Sequence, residues 1–127
     1  MTGFDHQRVS QAIGAALGGP GGVGVVLRAF CGVPGVLLAP ARRGIFRSQP
    51  QQVQIGEWRY EVTGDERLRA AHVVHGIVLA EEVLPAGSVG GHVARALGQL
   101  VAGYGPTIVP NIEAALEVLE TSAGPLT

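Results

Sequence analysis

Between residues 52 and 62 the chain alternates so strictly that a β-hairpin is the natural reading. Val53 and Ile55 alternate with Gln52 and Gln54, and Trp58, Tyr60 and Val62 alternate with Arg59 and Glu61. Successive side chains of a strand point to opposite faces, so each run presents one apolar and one polar face. Gly56-Glu57 joins the two runs. A two-residue type II′ turn needs a positive φ at its first position, which Gly supplies. An antiparallel sheet with one face to bury therefore anchors the fold.

The next apolar run, residues 70–83, fits a strand covered on both faces or a buried helix. Its centre, Val73-Val74-His75-Gly76-Ile77-Val78-Leu79, is β-branched and holds a Gly, which favours strand. Helix stays open for 66–83, because both ends contain good helix formers and Asp65 is a plausible N-cap.

Elsewhere Asp5 can cap a helix running to about Leu17, with Val9, Ile13, Ala16 and Leu17 on one stripe. Glycines 18–22 end it. Residues 23–30 and 33–39 read as strands, 40–44 as a basic turn with 45–47 continuing a strand, and 48–52 as a loop. Ser88 can cap a helix over 89–104 with Val89, Val93, Leu97, Leu100 and Tyr104 on its stripe, stopped by Gly105-Pro106. A last helix over 110–121 carries Ile112, Ala115, Leu116 and Leu119 on one side and Glu113, Glu117 and Glu120 on the other.

These elements predict one α+β domain over 1–127, with 1–4 and 122–127 frayed. Its antiparallel sheet has four to six strands, with an N-terminal helix and two C-terminal helices packed on it. The expected core is Val25, Leu27, Leu37, Ile55, Trp58, Tyr60, Val74, Ile77, Val78, Leu97 and Leu116.

Composition narrows the function. Only 15% of the 127 residues are charged, against about a quarter in typical globular chains, so homo-oligomerisation is expected to cover the surface. A net charge of −1 argues against a nucleic-acid partner. The lone Cys31, in an apolar run, reads as a small buried hydrophobe and excludes a Cys-rich zinc site. Residues 23–41 carry one charge, Arg28, and resemble a membrane span in hydropathy. Gly32, Pro34 and Gly35 break any helix there, and a buried charge costs about 2.5–3.5 kcal/mol. No membrane partner is expected, and with no signal-like N-terminus the expected location is cytoplasmic.

No motif points firmly to chemistry. Gly19-Pro20-Gly21-Gly22-Val23-Gly24 matches GxGxxG, but the order is helix, glycines, strand, the reverse of what a pyrophosphate site needs. With all nine basic residues Arg and none Lys, a Walker A loop is excluded. His72 and His75 fall on opposite faces of a strand; only on a helix would they converge, with Glu82, on a zinc or acid–base site. Adjacent Glu81-Glu82 on a strand do not converge either. No nucleophile motif is present, so no catalytic residue, metal or cofactor is expected.

Two features stand out. Arg42, Arg43 and Arg47, with Gly44 and Phe46 between them, are the best anion-binding candidate, since paired guanidinium groups grip phosphate or carboxylate bidentately. Gly90, Ala94, Gly98 and Ala102 recur every fourth residue and form a small-residue ridge, an oligomer-interface candidate because it lets another backbone approach.

The run 76–85 leading into helix 88–104 is similar to the last strand and helix of type III secretion chaperone-like domains. That similarity covers about a third of the chain and departs in having no helix between early and late strands. It implies a small dimeric adaptor and transfers no functional residues. The Lys-free, Ala/Gly/Val/Arg-rich composition also resembles small uncharacterised actinobacterial proteins. The reading is a non-enzymatic protein-binding or assembly module that binds itself and a possible second protein. The alternative is a small-ligand binder or enzyme using His72 or His75 with the Arg42/Arg43/Arg47 clamp.

Overall fold

The computed structural model describes residues 4–18, 22–39, 42–43, 48–49, 51–63 and 67–122. It has the α+β architecture expected: an N-terminal helix, a five-stranded antiparallel sheet and C-terminal helices.

Helix α1 (His6–Leu17) begins where the Asp5 carboxylate accepts from the Arg8 backbone N–H at 3.0 Å. That bond satisfies one of the free N–H groups at the helix start. Its buried stripe is Val9, Ala12, Ile13 and Ala16. Residues 23–30, read from sequence as a strand, instead form helix α2 (Gly22–Ala29), extended by a 3₁₀ turn, Phe30–Gly32. The reason is burial. Val26, Leu27 and Phe30 sit at helical spacing and are fully buried in a layer with α1 and the last helix. Burying such side chains is worth roughly 1.5–3 kcal/mol each, well above the few tenths per residue by which Val disfavours a helix.

Strands β1 (Val36–Ala39), β4 (Gln52–Ile55), β5 (Trp58–Val62), β6 (Leu68–Val74) and β7 (Ile77–Leu84) make the sheet in the order β1-β4-β5-β6-β7. Between β1 and β4, β2 (Arg42–Arg43) and β3 (Ser48–Gln49) pair as a separate ribbon. The β4–β5 hairpin has the expected register, Ile55 opposite Trp58 and Val53 opposite Tyr60, with Gly56 at φ 61°. Of the run 66–83, the part from 68 on is not one strand but most of a second hairpin, β6–β7, turned by His75-Gly76 at φ 53° and 78°; residue 66 lies outside the described residues. Two consecutive positive φ values define a type I′ turn.

Register assigns the faces. Val36, Ile55, Trp58, His72 and Ala80 form one inward row, and Leu38, Val53, Tyr60, Ala70 and Glu82 the next. The outward face carries Gln52, Glu61 and Arg69 in a row, tied by Gln52 Nε2 donating to Glu61 (2.9 Å) and Arg69 Nη1 lying 3.7 Å from Glu61.

Helix α3 (Ala86–Tyr104) packs on the inward face and begins two residues before Ser88, with Pro85 at its N-cap and no side-chain cap. It stops as expected at Gly105, φ 92°. After a 3₁₀ turn, Pro106–Ile108, α4 (Val109–Ser122) buries Ile112, Ala115, Leu116 and Leu119. Arg8 reaches across to Glu120 with two hydrogen bonds of 3.2 and 3.1 Å, joining α1 to α4.

Of the expected core, Leu27, Ile55, Tyr60, Leu97 and Leu116 are buried, and Val25, Trp58 and Val74 are half-buried. Leu37, Ile77 and Val78 are exposed instead, because they lie on the two end strands, where the helical layer does not reach.

Candidate functional site

The β6–β7 hairpin arises from two β-rich runs around His75-Gly76, and among the described residues it leaves β7 at the end of the sheet with only β6 beside it. Seven of its eight residues are exposed, and only Leu84 is buried. Among the described residues, six of the eight exposed large apolar side chains sit on the end strands. Leu37 and Leu38 are on β1, and Ile77 (64%), Val78 (45%), Leu79 (60%) and Val83 (44%) are on β7. An unpaired edge presents a row of free N–H and C=O groups that another strand can complete. On β7 that row is qualified twice. His72 pairs with Ala80 and Val73 with Val78, leaving Leu79 as a bulge, and Glu81-Glu82 add adjacent carboxylates. Bulges and edge charges restrict indiscriminate pairing. Arg69 Nε lies 3.9 Å from Glu81, which partly offsets that charge.

Beside β7 on the inward face is a cluster of rings. Trp58 stacks on His72 with centroids 4.7 Å apart and meets His92 of α3 edge-on at 4.4 Å. His72 Nε2 lies 2.9 Å from a Glu57 carboxylate oxygen. His92, only 7% exposed, has its Nδ1 2.8 Å from the Tyr60 hydroxyl. Burial, helped by the Arg95 charge, holds the His92 imidazole below its ordinary pKa, while Glu82 opposes this weakly. Burial likewise raises the Tyr60 phenol far above its usual range. A neutral phenol and a neutral ring are both satisfied when Tyr60 O–H donates to Nδ1, which puts the ring proton on Nε2. The cluster joins α3 to the sheet, and His72 and Trp58, both partly exposed, are its members within reach of solvent.

Other candidate residues lie apart from β7. Arg42 and Arg43 are not on a turn but in β2, opposite Gln49 and Ser48; Arg47 lies outside the described residues. The small-residue ridge of α3 is used within the chain. A Cβ on Gly90 would stand 2.6 Å from the Ser10 carbonyl oxygen and one on Gly98 would stand 3.4 Å from Phe4, while Ala94 is fully buried. The close approach is therefore to α1, antiparallel to α3, and Ala102 is the one ridge member exposed. His75 is exposed in its turn, and His72 points inward, so the two do not converge. An open groove of about 410 Å³ between α1 and the start of α3 is lined by Ser10, Gly14, Leu17, Gly18, Ala86, Gly87 and Gly90, and holds none of the histidines or arginines. Among the described residues no three His, Cys, Asp or Glu side chains gather as a metal site, and no helix is long and apolar enough to cross a membrane.

Sequence reasoning missed His92 although a signal was present. It follows Val89 by three and precedes Ala96 by four, which puts it on the buried stripe of α3.

The chain belongs to the family described as "Domain of unknown function (DUF5073)", whose model matches residues 1–121. No curated protein and no solved structure matches it.

Proposed function

We propose that this domain is a non-enzymatic protein-binding and assembly module that works as a homo-oligomer in the cytoplasm. The observation that carries this reading is the placement of exposed apolar side chains at the two ends of the sheet, most of them on β7. Apolar surface left in water is unfavourable by about 25 cal/mol per Å², and a strand edge adds unmade backbone hydrogen bonds. A partner strand relieves both at once. The low charge fraction of the chain agrees with a surface that is partly covered in use. A small adaptor of the kind implied by the likeness to type III secretion chaperone-like domains would act in this way.

Sedimentation equilibrium at micromolar concentration tests it. The wild-type chain is expected to be at least dimeric. Leu79→Lys, which places a charge on an exposed edge position, is expected to give a folded monomer. A wild-type monomer across the whole concentration range overturns the reading.

A ligand-binding or enzymatic role has one observation in its favour, the half-exposed His72 held by Glu57 and stacked on Trp58. It requires a small molecule whose binding perturbs the His72 ring signals in an NMR titration and is lost in His72→Ala.

A further inference from the structure

We infer that His92 is a proton-operated latch between helix α3 and the sheet: as a neutral ring it is held by Tyr60, and as a protonated ring it changes partner to the Glu82 carboxylate on β7, with α3 and the sheet otherwise intact. Mild acid thereby uncovers Trp58 on its α3 side without unfolding the domain.

Among the described residues, His92 is the polar side chain of the buried core, 7% exposed. A buried polar ring is costly unless its hydrogen bonds are made, a cost that an apolar side chain would not carry. Its Nδ1 is 2.8 Å from the Tyr60 hydroxyl, and the Trp58 indole meets the ring edge-on at 4.4 Å. This arrangement suits the neutral ring alone. Nδ1 must be bare to take the Tyr60 proton, whereas a protonated imidazole carries N–H on both nitrogens. Protonation replaces the acceptor by a donor and leaves buried Tyr60 to send its proton elsewhere.

The charged groups around the ring give its release a direction. Arg95, on α3 itself, repels an imidazolium, and Glu82, on β7, attracts it. On β5 the ring faces the Tyr60 phenol and the uncharged Trp58, and His72 of β6 stacks on that indole. Helix α1 packs on α3 at Gly90, but its Arg8 is turned to Glu113 and Glu120 of α4, Asp5 caps the helix and His6 is exposed. Glu82 lies in the same inward row as Tyr60, with Ala70 between them. Neighbouring strands are about 4.8 Å apart, so the two partners stand about 10 Å apart at Cα, with only a methyl group in the row between them. Glu82 is exposed, so a ring that reaches it also reaches water. Helical side chains have two common χ1 wells, which lets the ring change partner while the α3 backbone stays in place.

The second histidine on the indole works the other way. His72 Nε2 lies 2.9 Å from Glu57, and its ring stacks on Trp58 at 4.7 Å. A proton on His72 turns that hydrogen bond into a charge-assisted pair. Acid therefore holds Trp58 to the sheet while freeing it from α3.

Trp58 is the single tryptophan of the chain, so its emission reads the latch. The test uses the full chain with His72→Gln, which leaves His92 as the imidazole on the indole. As pH falls from 7.5 to about 5, across the range in which imidazoles titrate, emission is expected to change in a one-proton step while far-ultraviolet circular dichroism keeps its amplitude. Adding Glu82→Gln is expected to move that step to lower pH by about 0.3–0.7 of a pH unit, the size of a screened ion pair. Adding His92→Gln is expected to abolish it. If His72→Gln does not fold, the His92 ring signals of the wild-type chain give the same reading by NMR, with contacts to Tyr60 at neutral pH replaced by contacts to Glu82 in acid. A step that survives His92→Gln, a midpoint that Glu82→Gln leaves in place, or a His92 ring that stays on Tyr60 in acid overturns the latch. Loss of circular dichroism in parallel with the step overturns it too, since acid then unfolds the domain rather than switching one ring.

Discussion

The Tyr60 hydroxyl lies 2.8 Å from Nδ1 of His92, and this contact fastens helix α3 to the centre of the sheet. Both groups are buried, so neither finds water if the other is removed. Tyr60→Phe is expected to destabilise the fold by about 1–3 kcal/mol, since it strands a buried ring nitrogen. Chemical denaturation measures this; a change within a few tenths of a kcal/mol would mean that the ring is satisfied elsewhere.

The same pair makes stability sensitive to acid. Burial holds the folded-state pKa of His92 below its ordinary 6.5, so below that pH the unfolded chain binds a proton that the folded chain refuses. Stability is therefore full above the ordinary value and is lost as pH falls through it toward the folded-state pKa. Denaturation midpoints between pH 7.5 and pH 5 are expected to decline in the wild type and to decline less in His92→Gln. Equal slopes would remove His92 as the source.

Two glycines separate close packing from open space. In α3, Gly90→Ala forces a Cβ to within 2.6 Å of the Ser10 backbone oxygen, so α1 must move. A loss of about 1–3 kcal/mol is expected. In α1, Gly14 is exposed and a Cβ there meets nothing within 4 Å. Gly14→Ala is expected to stabilise by about 0.4–1 kcal/mol, because Ala loses less backbone freedom on entering a helix. Thermal melts of the two variants moving in the same direction would contradict the packing of α1 on α3.

His75 occupies the first position of the β6–β7 turn with φ 53°, a conformation Asn tolerates better. His75→Asn is expected to raise stability by a few tenths of a kcal/mol. A clear loss would show that the imidazole contributes something beyond turn geometry.

Arg8 and Glu120 offer a contrast, since both are exposed despite their two hydrogen bonds. A double-mutant cycle across this pair is expected to give a coupling of about 0.2–1 kcal/mol that shrinks as salt is raised. A coupling above 2 kcal/mol would imply that the α1–α4 junction excludes water.

How far the sequence predicts the molecule depends on how local each signal is. The β4–β5 hairpin, α1, α3 and α4 are legible because alternation, stripes at 3.6-residue spacing and the Gly105-Pro106 stop are local patterns. Helix α2 is not, because Gly22-Val23-Gly24-Val25-Val26 has poor helix propensity and becomes helical through burial of Val26, Leu27 and Phe30 against distant helices. The second hairpin is hidden because His-Gly is an uncommon type I′ pair beside Asn-Gly or Asp-Gly. The apolar residues of β7 read as core, since nothing local tells an end strand from a central one. Likewise, a ridge of small residues on α3 looks the same in sequence whether it meets another copy or, as here, α1.

Amide hydrogen exchange on β7 as a function of protein concentration tests the assembly account most directly. Among the described residues, the β7 amides that point away from β6 have no strand of the same chain to bond to. If β7 pairs with a second copy, the outward amides of residues 77–83 exchange slowly at high micromolar concentration and lose that protection on dilution, while the β4–β5 amides stay protected throughout. Fast exchange of the outward β7 amides at every concentration would contradict it.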